Sequence, residues 1–336
     1  MYNGFAIILA WPETFCKQPT SWYDPILRWI GINKNYYYKV GHAAIILIES
    51  KSGNCYYFDF GRYHAPFQYG RVRDQETDPD LKIRTKAKIS MNKILNVESI
   101  LNEVVNNPSC HGDGDLYASY IPINFNSAYK TAKNLQKNFI PYGPFLWNGS
   151  NCSRFVQTIV LSGKPSFFNR LKIILQKTIT PTPLGNVRSF SNEIRLSPNV
   201  FHKDDQNKEK TPKKAKPTFT LPPPERNPKI PHKAKWLAGE GAGSWFYIKQ
   251  INSDIINVTR FSPEGKIEFS GFFQTNNNKT FVEKESYQIT YPSHFQQISI
   301  IQKNQLFIFK KLNIIPFDEE LDENIFNQKN QIVILN

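Results

Sequence analysis

The sequence predicts an α+β chain: a domain of antiparallel sheet with packed helices, followed by a small all-β, barrel-like domain. Three observations point to it. Apolar runs at 4–10 and 43–48 are unbroken, as strands covered on both faces are, and they lie among segments with helical apolar spacing. Between His202 and Lys235 the composition shifts to ten Lys/Arg against four Asp/Glu, with seven prolines and almost no large apolar residue. From Trp236 onward only strand patterns occur, separated by turn residues. The expected boundaries are 1–200 for the first domain, 201–235 for a disordered, basic, Pro/Lys-rich linker, 236–316 for the β domain and 317–336 for a tail.

In chain order, residues 3–10 read as a buried strand. Residues 22–30 read as a short helix, with Asp24 as cap and Pro25 at its first position. A strand opens at Gly41-His42, and a second one, 55–60, follows the turn over 49–54. Residues 61–80 read as a polar loop, and 81–89 as a one-sided strand with Lys/Arg on its open face. The stretch 94–105 is an amphipathic helix closed by Asn106-Asn107-Pro108. In the loop 110–117, Asp113 and Asp115 stand among glycines, but the other ligand positions of a calcium loop are missing. No metal and no cofactor is assigned. Further helices are expected over 127–139, from Asn151-Cys152 to Ser162-Gly163, and over 167–178. The β domain should hold six strands, near 245–251, 255–261, 266–273, 280–289, 297–301 and 306–311.

The chemistry centres on Cys152. Ser150 and Asn151 are good N-cap residues, and Phe155, Val156, Ile159 and Val160 recur at helical spacing after them. Cys152 therefore falls in the first turn of a core helix, where unpaired N–H groups and the helix dipole favour a thiolate. A buried structural cysteine is the alternative reading. A nucleophilic thiol needs a base and an orienter for the base. His42 heads a strand whose neighbours Ala43 and Ala44 leave room for a helix end. Asp59 is the one charge in the next strand, and a hairpin centred near Lys51 puts it opposite His42 or one diagonal step away. His111 is an alternative third residue or a substrate contact. Asp115, Arg62 and Asn151 are further candidates to line the site.

A Gly-His at a strand start, a polar residue on the next strand and a distant Asn-Cys-Ser at a helix start resemble the circularly permuted papain-like cysteine hydrolases. These are the NlpC-type cell-wall amidases and their lecithin:retinol-acyltransferase-like relatives. The order His42, Asp59, Cys152 is that of the permuted branch. The stretches 58–63 and 236–245 are similar to an uncharacterised bacterial family within that group. The resemblance covers roughly the first two hundred residues. It implies a permuted papain-like fold and an amide-cleaving thiol hydrolase acting on a cell-wall peptide or another peptide. Within the same group, a lipid acyltransferase or thioesterase is the alternative. A catalytically inactive binding protein, with the β domain as the working part, is the other.

The formal net charge of +14 suggests an anionic partner, and the Lys213-Lys214-Ala215-Lys216 run in the linker could contact an anionic surface. No specific nucleic-acid binding is expected, because the basic residues concentrate in a proline-rich stretch without a stacking motif. Four cysteines without metal or disulfide spacing suit a reducing compartment. The N-terminus lacks a basic region ahead of its apolar run, and no run is long enough to span a membrane, so the expected location is cytoplasmic. A cell-wall substrate would then demand another export route.

Overall fold

A computed structural model of the chain describes residues 1–17, 29, 33–34, 37–91, 93–176, 180–199, 219–276 and 280–313. The expected helix over 22–30 (Trp29 apart), the linker as far as 218 and the tail lie outside the described residues.

The first domain is built on a seven-stranded sheet. Its strands are β1 (Gly4–Trp11), β2 (His42–Glu49), β3 (Cys55–Gly61), β4 (Tyr69–Arg73), β5 (Leu116–Ile123), β6 (Ile140–Pro141) and β7 (Ile194–Leu196). They run in the order β6-β4-β3-β2-β1-β5-β7, with every pair antiparallel. All of β1, and β2 up to Ile48, is buried, so the unbroken apolar runs mark the two central strands.

The strand period separates two cores. On one face Ala6, Ile8, Ala43, Ile45, Leu47 and Phe60 meet the helices α2 (Phe125–Gln136), α3 (Cys152–Ser162), α4 (Phe167–Leu175) and α5 (Pro183–Arg188). On the other, Ile7, Leu9, Ala44, Ile46 and Tyr57 meet α1 (Val97–Val105) and the segment 81–87. The helix α1 turns Ile100, Leu101 and Val104 inward, as its spacing requires.

Three expectations for this domain are corrected. Residues 61–80 are not simply a polar loop, because β4 pairs with β3 and buries Arg71 and Arg73. The stretch 81–89 is irregular up to Ile89. Leu81, Ile83 and Ala87 are buried, so the alternation serves packing without a ladder. The strand Leu116–Ile123, unexpected from the sequence, is the partner of β1.

The second domain is a nearly closed, barrel-like sheet of seven strands: β8 (Lys235–Ala238), β9 (Gly243–Gln250), β10 (Ile255–Phe261), β11 (Ile267–Gln274), β12 (Gln288–His294), β13 (Gln297–Gln302) and β14 (Gln305–Lys311). The order is β8-β9-β10-β11-β14-β13-β12, and the Tyr291 hydroxyl donates to the Ala238 carbonyl across the gap. Six strands were expected. The sheet adds β8, and the strand expected over 280–289 is displaced to Gln288–His294. Phe281 and Tyr287 enter the core from outside any ladder. Residues 219–234 are not loose: Ile230 and Ala234 are buried, and Leu221 bonds to Gly239.

The β domain docks onto residues 61–78 through buried charges. Arg62 donates to Glu240 at 2.8 Å, and a Glu240 oxygen also takes the Gln68 N–H at 2.9 Å. Asp78 receives both Arg71, at 2.8 and 2.9 Å, and Arg260, at 2.9 Å. His64 meets Ser244 at 2.8 Å. The backbones touch as well, with the Gly241 N–H donating to the Arg62 carbonyl at 2.9 Å. A β-carbon on Gly239 would come within 2.1 Å of that same carbonyl oxygen, so only glycine fits there.

Candidate active site

The helix α3 starts where the sequence places it. Asn151 is its N-cap, in extended conformation, and its side chain accepts the Arg154 N–H at 2.8 Å. Such a cap contributes about 1 kcal/mol. Phe155, Val156, Ile159 and Val160 are buried, each stabilising the helix by roughly 1.5–3 kcal/mol. Gly163 ends it. A further anchor comes from Asn186, which is buried on α5 and donates to the Ser153 carbonyl at 2.9 Å.

These restraints hold Cys152 against the first residues of β2. Its thiol ionises under the influence of the nearby His42 side chain and of the Ala43 N–H. Ala43 is fully buried in the same cluster as Cys152, and its small side chain permits the approach. Across the hairpin Asp59 stands opposite Ala44, one diagonal step from His42 on the same face. His42 Nε2 lies 3.6 Å from Asp59 Oδ2, longer than a hydrogen bond and within ion-pair reach. The imidazole is held from its sides by Trp11, stacked at 5.8 Å, and by the edge of Tyr63 at 6.2 Å.

The electrostatics of the pair are opposed. Burial alone would lower the His42 pKa, but the Asp59 and Cys152 contacts outweigh it and raise it to about 9. Burial alone would raise that of Cys152. The His42 contact and charge, then the Ala43 N–H and the Ser153 hydroxyl, bring it below the ordinary thiol value. Burial would also raise Asp59, yet the Arg73 guanidinium and the His42 contact hold it far below the usual carboxylate range. The shifts all run toward the charged forms of the thiol, the imidazole and the carboxylate. Cys152, His42 and Asp59 are 5, 3 and 0 % exposed, so these interactions operate out of bulk water.

Asp59 has a second role. Arg73 Nε donates to Oδ1 at 2.9 Å and the guanidinium also reaches Oδ2, while the Tyr57 hydroxyl donates to Oδ2 at 3.2 Å. Arg73 lies 4.0 Å from the Tyr63 ring centre. The fixed fork therefore orients the carboxylate that faces His42.

The other expected site residues are placed as follows. His111 is beside the site, stacked on Tyr63 at 4.7 Å. Burial and then the Arg73 charge push it down to about 3, so it is neutral, and Asp59 holds the place opposite His42 Nε2. Arg62 is buried against Glu240 and 4.8 Å from the Tyr142 ring, at the rim of the site. Asn151 is the cap. Asp115 pairs with Arg195 instead. Asp113 gives its N–H to the Thr14 hydroxyl, and among the described residues no group of three His/Cys/Asp/Glu could hold a metal.

Several neighbours escaped the sequence reading. Cys16 lies near Cys152: burial and then the Cys152 charge push it up to about 12. Arg73, Tyr63, Tyr142 and Glu240 are the others. The Arg-Val-Arg alternation at 71–73 was the available signal for a strand with a buried, charge-paired face.

Residues 6–167 match the family described as type VI secretion system effector TseH-like. This TseH-like segment spans β1 to α3 and so contains His42, Asp59 and Cys152. Residues 234–312 match a second family, the DUF6695 C-terminal domain, which coincides with the β domain. A solved structure, titled as that of the type VI secretion system effector TseH, is 19% identical. The alignment covers 58% of this chain and 93% of that one, with a TM-score of 0.39. No curated protein matches the chain.

Proposed function

We propose that the chain is a cysteine hydrolase of the secreted-effector type, cleaving an amide bond in a cell-wall peptide or another peptide. The observation that carries the reading is that Cys152, in the first turn of α3, and the His42–Asp59 pair, 3.6 Å apart, are all buried, and the three influence one another's ionisation. The match of residues 6–167 to a family named for a type VI effector supports the effector part, and delivery by a secretion machine would be the export route a cell-wall substrate demands.

In this mechanism the Cys152 thiolate adds to the amide carbonyl carbon. The developing oxyanion is met by N–H groups of the first turn of α3. That of Arg154 is occupied by the cap, and that of Cys152 itself is nearest the sulfur. The C–N bond breaks as the His42 imidazolium gives its proton to the departing amine, leaving a thioester on Cys152. His42, now neutral, takes a proton from water, whose oxygen attacks the thioester. The acid leaves and the thiolate–imidazolium pair is restored. Asp59 keeps the ring oriented and favours its charged form.

Incubation with peptidoglycan fragments and with peptides tests this. The expected result is a new amine and carboxylate formed by the wild type and not by Cys152→Ala. Equal product from both proteins would contradict it.

A further inference from the structure

Beside the Cys152 helix, several large apolar side chains are exposed. The loop leading into α3 exposes Phe145, Leu146 and Trp147, the last to 95 %. Arg154 fixes this loop by donating to the Pro144 and Leu146 carbonyls at 3.2 and 2.9 Å. Three residues on, along the same side of α3, Gln157 donates to the Ile173 carbonyl at 2.8 Å and sets α4 alongside. Of the apolar residues of α4 only Ile173 is buried. Phe167 and Phe168, Leu171, Ile174 and Leu175 are exposed. A surface helix ordinarily buries its apolar stripe, and a patch of this kind marks an interaction site.

The surrounding charge indicates the partner. From Leu116 to Asn192 the chain contains no Asp or Glu and nine Lys/Arg. Lys164, Arg170 and Lys172 stand exposed on or beside α4. A surface made for another protein would be depleted of lysine at its centre. Aromatic and aliphatic side chains fringed by cations, with no carboxylate among them, suit a bilayer surface. Rings settle at the headgroups, aliphatic groups enter the acyl boundary, and Lys/Arg meet phosphate. Among the described residues no helix is long and apolar enough to cross a membrane, so α4 would lie in the plane of the interface.

We propose that α4 and the loop 145–147 form a docking surface for an anionic phospholipid bilayer, adjacent to the start of the Cys152 helix. The proposal does not depend on the thiol being active. The test is sedimentation of the full chain with vesicles of phosphatidylglycerol and phosphatidylethanolamine, against vesicles of phosphatidylcholine alone. Partition should be about tenfold stronger on the anionic vesicles and should fall as salt rises. Trp147→Ser with Phe168→Ser, both at exposed positions, should weaken it about tenfold, and Arg170→Glu with Lys172→Glu should do the same. Lys213→Glu with Lys214→Glu and Lys216→Glu, in the basic linker, should change it less than about twofold. The proposal is overturned by absence of the full chain from the anionic vesicle pellet, or by unchanged binding of the Trp147/Phe168 variant. Loss of binding in the linker variant alone would also overturn it, as would a dimer in vesicle-free solution that the Trp147/Phe168 substitutions dissolve.

Discussion

Asp59→Asn separates the two roles assigned to this carboxylate. The side chain keeps its shape and loses its charge, so Arg73 is left as a buried cation without a counter-charge. Breaking a buried pair in this way costs about 3–5 kcal/mol of stability. The effect on the thiol is distinct. His42 is lifted from 6.5 to about 9, which corresponds to about 3 kcal/mol in favour of the charged ring, shared between Asp59 and Cys152. Losing about half of that lowers the thiolate–imidazolium population roughly tenfold. The second variant, Asp59→Asn with Arg73→Met, removes both charges and should recover most of the stability, since neutral replacements of buried pairs are often tolerated. It should not recover the reactivity of Cys152. Denaturant unfolding measures the first quantity, and the rate of iodoacetamide capture at Cys152 at neutral pH measures the second. If the double variant regained wild-type thiol reactivity, or if Asp59→Asn reacted as fast as the wild type, the carboxylate would have no part in activating the pair.

Other expectations follow from the same geometry. In the folded chain Cys152 should alkylate first at neutral pH. Cys16, Cys55 and Cys110, pushed up by burial to about 12, 11 and 12, should react more slowly, and mass spectrometry of the labelled peptides would show uniform labelling if this is wrong. Turnover should rise with pH as Cys152 ionises below the ordinary thiol range and fall as His42 loses its proton near pH 9, because release of the amine needs the imidazolium. A rate still climbing above pH 9 would exclude the ion pair. Glu240→Gln leaves Arg62 buried without its carboxylate and should cost about 3–5 kcal/mol, read as a lowered melting temperature, and an unchanged one would mean the domains do not depend on that pair. Gly239→Ala should also lower the melting temperature, through the collision with the Arg62 carbonyl.

Much of this was legible in the residues. Unbroken apolar runs gave β1 and β2, the Ser-Asn-Cys start and the Phe155–Val160 spacing gave α3, and the turn over 49–54 put Asp59 either opposite His42 or one diagonal step away, the second being the pairing found. Each is a local pattern with a short physical reach. What stayed hidden depends on partners far along the chain. Arg71 and Arg73 look like loop residues until Asp78 and Asp59 are beside them, and Glu240 has no meaning without Arg62, 178 positions away. The strand Leu116–Ile123 mixes Tyr, Ser and Pro with its apolar residues, and only its pairing with β1 makes it a strand. The docking of the β domain was invisible for the same reason: it rests on buried ion pairs, which leave no periodicity.

The pH dependence of Cys152 alkylation in wild type and in His42→Ala tests the central claim most directly. The wild type should show a thiol ionising below the ordinary value, and His42→Ala should shift that ionisation upward and slow capture at neutral pH. Superimposable titrations of the two proteins would contradict the account.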